Sequence, residues 1–234
     1  MPRKRRCLPV GMPAHIIQRG VNRQICFASD EDMAAYANWL REGSAKFGVL
    51  IHAWVFMSNH VHLLLTPTQD RAISDCMQYL GRLYVRYFND RYKRTGTLFE
   101  DRFKSHTIQT TPYLMVCSRY IELNPVRGGL VKAPSEYRWS SYCANAWGQP
   151  VKMWTPHEAY ESLGSTKSAR QLAYRRLFES ELGAELISEI KRAQQTGFVL
   201  GTEKFRAQFE ELTGFPQSHK KRGRKRNQKN ASGL

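Results

Sequence analysis

Short runs of strand-forming residues are spaced along the first half of the chain. Residues 14–19 (AHIIQR) are rich in β-formers, and residues 49–57 (VLIHAWVFM) are almost continuously apolar, as in a central strand covered on both faces. Residues 60–66 (HVHLLLT) read as a returning strand, with Ser58-Asn59 as the turn of a hairpin. A shorter candidate strand spans residues 103–109 (FKSHTIQ).

Helical patterns lie between these strands. Ser29 and the acidic residues after it predict a helix start, and the periodic apolar positions that follow end near Gly48. Apolar side chains at helical spacing predict a second helix from about Ala72 to Tyr92. Residues 110–125 predict a third, in which Thr111 can cap the start and the final proline ends the helix.

The order strand, helix, hairpin, helix, strand predicts an α+β fold. It is the order of a ferredoxin-like antiparallel sheet with helices on one face, which leaves the other face available for a site. We expect this domain to span residues 1–150. Residues 151–218 are amphipathic and predict a helical extension, and residues 219–234 predict a basic disordered tail because they are almost wholly polar.

The charge balance of the chain favours a polyanionic partner. There are 36 lysines and arginines against 20 acidic residues, giving a net charge of +16 and a sequence pI near 9.9. No apolar run approaches the ~20 residues that span a bilayer, and the basic start has no apolar signal core. Five scattered cysteines without a C-x-x-C pair are typical of reduced thiols. We therefore expect a cytoplasmic, nucleoid-associated protein that binds nucleic acid and no membrane.

Two histidines begin the second strand of the predicted hairpin. Alternate residues of a strand share a face, so His60 and His62 project together and can bind one divalent cation. The H-x-H pattern alone is a weak signal. The alternative is a pair of polar residues at a strand start, one hydrogen-bonded and one exposed.

The third predicted helix carries possible partners for such a metal site. Tyr113, Cys117, Tyr120 and Asn124 follow one another at spacings of four, three and four, so they line one helix face. An amide oxygen from Asn124 could complete a metal shell beside the Tyr120 phenol. Alternatively, Tyr120 packs in the core and Asn124 caps the helix.

Several ordered motifs together resemble a known family. They are AWVFMSNHVHLLLTP at 53–67, SRYIELNPVRGGLV at 118–131 and EYRWSSY at 136–142. Over roughly residues 10–148 the chain resembles the single-tyrosine HUH transposases of small bacterial insertion sequences. It is most similar to their domesticated relatives, the REP-associated tyrosine transposases.

The resemblance implies a metal-dependent DNA strand transferase. In that family the matching histidines, here His60 and His62, hold Mg²⁺ or Mn²⁺ beside the scissile phosphate. The matching tyrosine, Tyr120, attacks to give a 5′-phosphotyrosine, and Asn124 matches a third ligand that is glutamine in some members. The expected substrate is single-stranded or hairpin DNA such as REP-like palindromes, and the expected state is a monomer or homodimer. Two alternatives stay open: a non-catalytic DNA-binding regulator with the same fold, and a relaxase-like nickase.

Basic side chains near the predicted site and at the chain end are candidates for phosphate contact, although a charge run is often only a solvated face. The predicted DNA-binding residues of the first domain are Arg19, Arg23, Arg82, Arg86, Arg102 and Lys104. Those of the tail are Lys220, Lys221, Arg222, Arg224, Lys225 and Arg226.

Overall fold

A four-stranded antiparallel sheet forms the centre of the protein. The structure is a computed structural model that describes residues 6–218. The strands are β1 (Ala14–Arg19), β2 (Val49–Met57), β3 (His60–Pro67) and β4 (Lys104–Thr107), in the spatial order β2-β3-β1-β4. The first three agree with the sequence prediction. β4 is shorter than the predicted 103–109. After Thr107 the chain pairs differently, since Ile108 forms an isolated parallel bridge with Leu200 of the extension.

The helices follow the predicted order along the chain. They are α1 (Asp30–Phe47), α2 (Ala72–Arg91), α3 (Thr110–Glu122), α4 (Asn124–Arg127), α5 (Tyr142–Trp147), α6 (Glu158–Glu161), α7 (Lys167–Arg176), α8 (Ala184–Thr196) and α9 (Glu203–Thr213). Ser29 and Asp32 form a capping box at the start of α1, and Gly48 ends it in the left-handed conformation with φ 68°.

The ends of α3 differ from the prediction. Gln109, not Thr111, occupies its N-cap position, so the predicted cap is wrong by two residues. Its C-terminal end comes at Glu122, and Pro125 then lies in the first turn of the short α4 instead of ending a longer helix. This suits proline, because its missing N–H is not needed in a first helical turn.

Helices α1 and α2 cover the first face of the sheet. The side chains that meet there form the larger apolar core and include Ile16, Tyr36, Leu40, Trp54, Phe56, Val61, Leu63, Leu80 and Tyr84. Alternation along the strands places these strand residues on one side.

Helices α3 and α8 pack against the second face, so the α+β class is confirmed but the expectation of helices on one face only is wrong. Ala53, Val55 and Leu64 point to this side and are fully buried against α3 and α8. Both faces of β2 are apolar, and each apolar face requires a covering layer. β2 is nevertheless an edge strand: Val55 pairs with Ser140, and that segment covers the strand's outer side.

The C-terminal helices pack onto the first 150 residues. The Leu200 backbone hydrogen bonds to Thr107 and Gln109 beside β4, and Tyr174 of α7 reaches Glu122 at the end of α3. The division into two domains stays a prediction, and the predicted tail lies outside the described residues. Within residues 6–218, no helix is both long and apolar enough to cross a membrane.

Candidate active site

His60 and His62 lie together on the second sheet face, at the start of β3. Their ring centroids are 5.0 Å apart. Strand pairing sets Arg19 of β1 opposite His60, and Ile17 opposite His62. His62 is 4% exposed and His60 is half-buried, so the pair sits at the edge between the α3 layer and solvent.

A hydrogen bond fixes the tautomer of His60. Its Nδ1 lies 2.6 Å from Oδ1 of Asn59, whose amide nitrogen donates to the Arg23 carbonyl. Because an amide oxygen only accepts, Nδ1 of His60 carries the proton. The Nε2 atom therefore keeps its lone pair, as a metal ligand must.

Two further histidines stand behind His62. Nε2 of His15 lies 2.7 Å from Nδ1 of His62, and the ring centroids of His15 and His106 are 4.9 Å apart. Sequence reasoning missed both residues. The available signal was the strand pattern, since His15 occupies an alternate position of β1 and pairs with His106 of β4 on the same face.

Burial keeps the histidine pair neutral. It lowers the pKa of His60 to about 4, and the nearby Arg19 charge acts in the same direction. Burial also lowers the pKa of His62 well below its ordinary value, helped by His60 and Arg127. Neutral imidazole is the form that coordinates a cation.

The Tyr120 ring lies beside this cluster. It is 6% exposed, and its centroid lies 6.0 Å from that of His62 and 6.1 Å from that of His15. The Arg127 guanidinium stacks over the ring at 4.2 Å from the centroid, and it also donates to the Tyr120 carbonyl. The sequence did not indicate Arg127, because its contact with Tyr120 depends on the turn between α3 and α4. Tyr113 has no ring contact with any described histidine.

Asn124 caps the end of α3. Its Nδ2 donates to the carbonyls of Tyr120 and Ile121 at 3.0 and 3.1 Å. The Oδ1 atom accepts no hydrogen bond from the described residues, so the cap leaves one ligating atom unused. The capping role considered from the sequence is therefore present, and it is compatible with ligation through the oxygen.

The donors fit a divalent cation with open coordination positions. Two neutral imidazoles and one amide oxygen suit Mn²⁺ or Mg²⁺, which fill their remaining positions with water and phosphate oxygens. Within residues 6–218, no group of three or more histidine, cysteine or acidic side chains is arranged to hold a metal. The residues that could hold an ion here are therefore His60 and His62, with the Asn124 amide oxygen as the candidate third ligand.

The predicted DNA-binding residues separate into three groups. The first group lies on the histidine side of the sheet: Arg19 and Arg23 lie next to His60 and its turn, and Arg102 and Lys104 lie at the start of β4, the end nearer to His60. Arg82 and Arg86 are exposed on α2, in the layer that covers the opposite face, and the structure does not bring them to the histidine pair. The group from Lys220 to Arg226 lies outside the described residues.

A comparison with known protein families matches the segment that carries these residues. A sequence model of the family described as "Transposase IS200 like" matches residues 10–124, the segment that contains the histidine pair, Tyr120 and Asn124. This segment, slightly less than half of the chain, is similar to the IS200-like transposase family. No curated protein is significantly similar to the chain in sequence.

Two solved structures are similar to the chain. One is described as a REP-associated tyrosine transposase bound to a REP hairpin. It is 21% identical with a TM-score of 0.54, over 67% of this chain and 93% of that chain, and this likeness shows the fold. The other is a candidate transposase from Deinococcus radiodurans, 22% identical with a TM-score of 0.36, over 52% of this chain and 96% of that one.

A buried carboxylate connects the helix that carries Tyr120 to the C-terminal extension. Glu122 is fully buried and accepts hydrogen bonds from Ser141, from Asn145 at 2.8 Å and from Tyr174 at 2.8 Å. Burial raises the pKa of Glu122 to about 7, and the three hydrogen bonds oppose that rise. The end of α3, two residues after Tyr120, is thereby fixed to α5 and α7.

Proposed function

We propose that this protein cleaves and rejoins single-stranded or hairpin DNA through a covalent bond to Tyr120. The observation that carries the proposal is the contact of the Tyr120 ring with His62 within one chain, at 6.0 Å between centroids. The proposed nucleophile and the histidine pair thus belong to the same chain, which supports cleavage by a single subunit. The match of residues 10–124 to IS200-like transposases supports the same chemistry.

The proposed step is a transesterification at one phosphate. The Tyr120 phenol loses its proton, its oxygen bonds to phosphorus, and the bond from phosphorus to the 3′ oxygen breaks. That oxygen takes up a proton, which leaves a 3′-OH end and a 5′-phosphotyrosine. Attack by another 3′-OH reverses the step, so strands can be rejoined without ATP.

The chain's own residues position the reacting groups. Arg127 holds the phenol ring by cation–π attraction and puts positive charge over the ring, which favours the negative charge that develops on the phenol as it reacts. His60, His62 and the Asn124 oxygen would hold the divalent cation. Such an ion, when bound, withdraws charge from the phosphoryl oxygens.

DNA with a hairpin is the proposed substrate class. The net charge of +16 favours a polyanion, and the fold resembles that of a protein described as bound to a REP hairpin. REP-like palindromes are therefore the first substrates to test, and a location at the nucleoid follows from this proposal.

The test is a covalent adduct. Labelled single-stranded hairpins are incubated with the protein and Mg²⁺ or Mn²⁺, run on a denaturing gel, and the linked peptide is mapped by mass spectrometry. We expect the adduct at Tyr120, bonded to the 5′ phosphate of the fragment downstream of the break. Tyr120→Phe should bind the hairpin with unchanged affinity and form no adduct, whereas the control Tyr113→Phe should form it normally.

Two results would contradict the proposal. An adduct formed by Tyr120→Phe would assign the nucleophile elsewhere. Tight hairpin binding by the unaltered protein with no adduct in either ion would favour the non-catalytic regulator.

A further inference from the structure

A basic cavity of about 280 Å³ lies beside the histidine pair, on the same sheet face. Ile17 and Arg19 of β1 form one wall, and these residues pair directly with His62 and His60. Lys104 of β4 forms the next wall, opposite Ile17. Adjacent strands lie about 5 Å apart, so the cavity is within about 10 Å of the histidine strand.

The third wall comes from α8 of the extension. Lys191, Gln194 and Gln195 line the cavity, and their spacing of three and four residues puts them on one helix face. The neighbouring face carries Ile190 and Ala193, which are buried against the α3 side of the sheet. Packing of α8 therefore fixes where the three polar side chains stand.

Three of the cations that line this cavity are available to a ligand. Arg19, Lys104 and Lys191 are all exposed, and no carboxylate among residues 6–218 lies within ion-pairing distance of them. By contrast, Arg71 at the N-cap of α2 and Arg86 within α2 are each paired with an aspartate one turn away. Unpaired cations around a cavity are the expected surroundings of phosphate oxygens.

The amide side chains add a second kind of recognition. The Gln194 amide nitrogen is buried and has no hydrogen-bond partner among the described residues. An amide offers both a donor and an acceptor, which is the pattern that reads base edges. Ile17, also in the lining, offers an apolar surface.

The cavity continues past β4. A second cavity of about 240 Å³ shares Asp101, Lys104, Gln194 and Gln195 with the first and extends to Arg6, whose guanidinium stacks on Phe103. Together the two form a groove that leads away from the histidine pair. A groove with cations and amides along its length suits an extended polynucleotide strand better than a single small anion.

We propose that this cavity binds a nucleotide of single-stranded DNA next to the scissile phosphate, with α8 selecting its base. Arg19, Lys104 and Lys191 contact the phosphates, and Gln194 and Gln195 contact the base edge. Base choice near the break is then set in part by residues outside the segment 10–124 that matches the family. This inference rests on the proposed function for its position relative to the break.

The experiment measures binding without cleavage. In the Tyr120→Phe background, fluorescence anisotropy gives the affinity for single-stranded 12-mers of each base composition over a range of salt. Lys191→Gln should weaken binding to every oligonucleotide about threefold to tenfold and lower the salt slope by about 0.7. Gln194→Ala with Gln195→Ala should leave the salt slope unchanged and reduce the affinity ratio between the best and worst base at least fivefold.

The matched controls lie on α9 of the same extension. Lys204 and Gln208 are exposed and do not line either cavity, so Lys204→Gln and Gln208→Ala should change neither quantity. Thermal unfolding of each variant shows that it remains folded.

Three results separate this inference from the proposed function. An unchanged base preference in the double glutamine variant, or an unchanged salt slope in Lys191→Gln, would overturn the inference even if the Tyr120 adduct forms. If the unaltered protein forms no adduct, while Lys191→Gln changes the salt slope and the double glutamine variant changes the base preference, only the proposed function is overturned. Absence of single-strand binding by the Tyr120→Phe parent would also overturn the inference.

Discussion

His15 and His62 share a hydrogen bond of 2.7 Å between Nε2 of the first and Nδ1 of the second. If His62 binds a cation through Nε2, its Nδ1 must carry the proton and donate to His15. His15 then fixes both the tautomer and the ring orientation of the ligand, in the way that outer partners commonly support metal-bound histidines.

Removal of His15 should therefore weaken metal binding. We predict that His15→Ala lowers the affinity for Mn²⁺ about 10-fold to 100-fold, because the His62 ring loses its only side-chain hydrogen bond among the described residues. Isothermal titration calorimetry with Mn²⁺ measures the change. His52→Gln, which alters a buried histidine outside this cluster, is the control, and equal affinities in the two variants would contradict the role of His15.

Arg127 should affect the rate of cleavage more than DNA binding. Its guanidinium lies over the Tyr120 ring, an interaction worth about 1–2 kcal/mol when partly desolvated. We predict that Arg127→Met slows adduct formation at least about tenfold, since ~1.4 kcal/mol of barrier corresponds to a factor of ten. Single-turnover kinetics on a hairpin measure the rate.

The control for that experiment is Arg119→Met. Arg119 also belongs to α3, but its guanidinium stacks over Phe178, 5.8 Å from the ring centroid, on the side of the extension. Its adduct rate should stay within about twofold of the unaltered protein. An Arg127→Met rate in that same range would show that the stacking has no catalytic consequence.

The hydrogen bond from Tyr174 to Glu122 should contribute to stability. Tyr174→Phe removes one of three donors to a fully buried carboxylate, so we predict a loss of about 1.5–3 kcal/mol in the free energy of unfolding. Urea denaturation at about pH 8.5, above the Glu122 pKa of about 7, measures the change. Tyr160→Phe removes a hydroxyl that donates to the neutral Asn145 carbonyl, and it should cost about 0.5–1.5 kcal/mol. Equal costs would mean that the Glu122 charge adds nothing to the bond.

The buried His52 should make stability depend on pH. Its Nδ1 donates to the Thr155 carbonyl and its Nε2 accepts from the Thr66 hydroxyl, both at 2.9 Å, so the neutral ring has every partner it needs. Burial lowers the pKa of His52 to about 4 from an ordinary 6.5. Between these values the unfolded chain binds the proton and the folded chain does not. The contribution of His52 is therefore fully present above pH 6.5 and is lost as the pH falls toward 4.

Acidification from pH 6.5 to 4 should then cost the unaltered protein up to about 3 kcal/mol more than it costs His52→Gln. Chemical denaturation of both proteins across that range measures the difference. The contributions of the other histidines are common to both proteins and cancel. His157 is half-buried, and His157→Gln should keep most of the slope. A His52→Gln protein as acid-sensitive as the unaltered one would contradict the assignment.

Local signals predicted most of the central sheet. The bounds of β1 and β2 follow from apolar and β-branched runs, and Ser29 and Gly48 mark α1 because capping residues act within one helical turn. The end of β4 could not be predicted in this way. Ile108 pairs with Leu200, 92 positions later, and no local pattern records that pairing.

The sequence by itself determined that His60 and His62 share a face and that Tyr120 and Asn124 stand one turn apart, because strand and helix periods act between near neighbours. Only the tertiary structure decided that His15 stands behind His62, that Arg127 stacks on Tyr120 and that α8 closes a basic cavity beside them. These contacts depend on strand register, on the turn after α3 and on the packing of segments far apart in the chain. Such relationships arise from the side chains of the whole core together, and so they cannot be read from any one stretch.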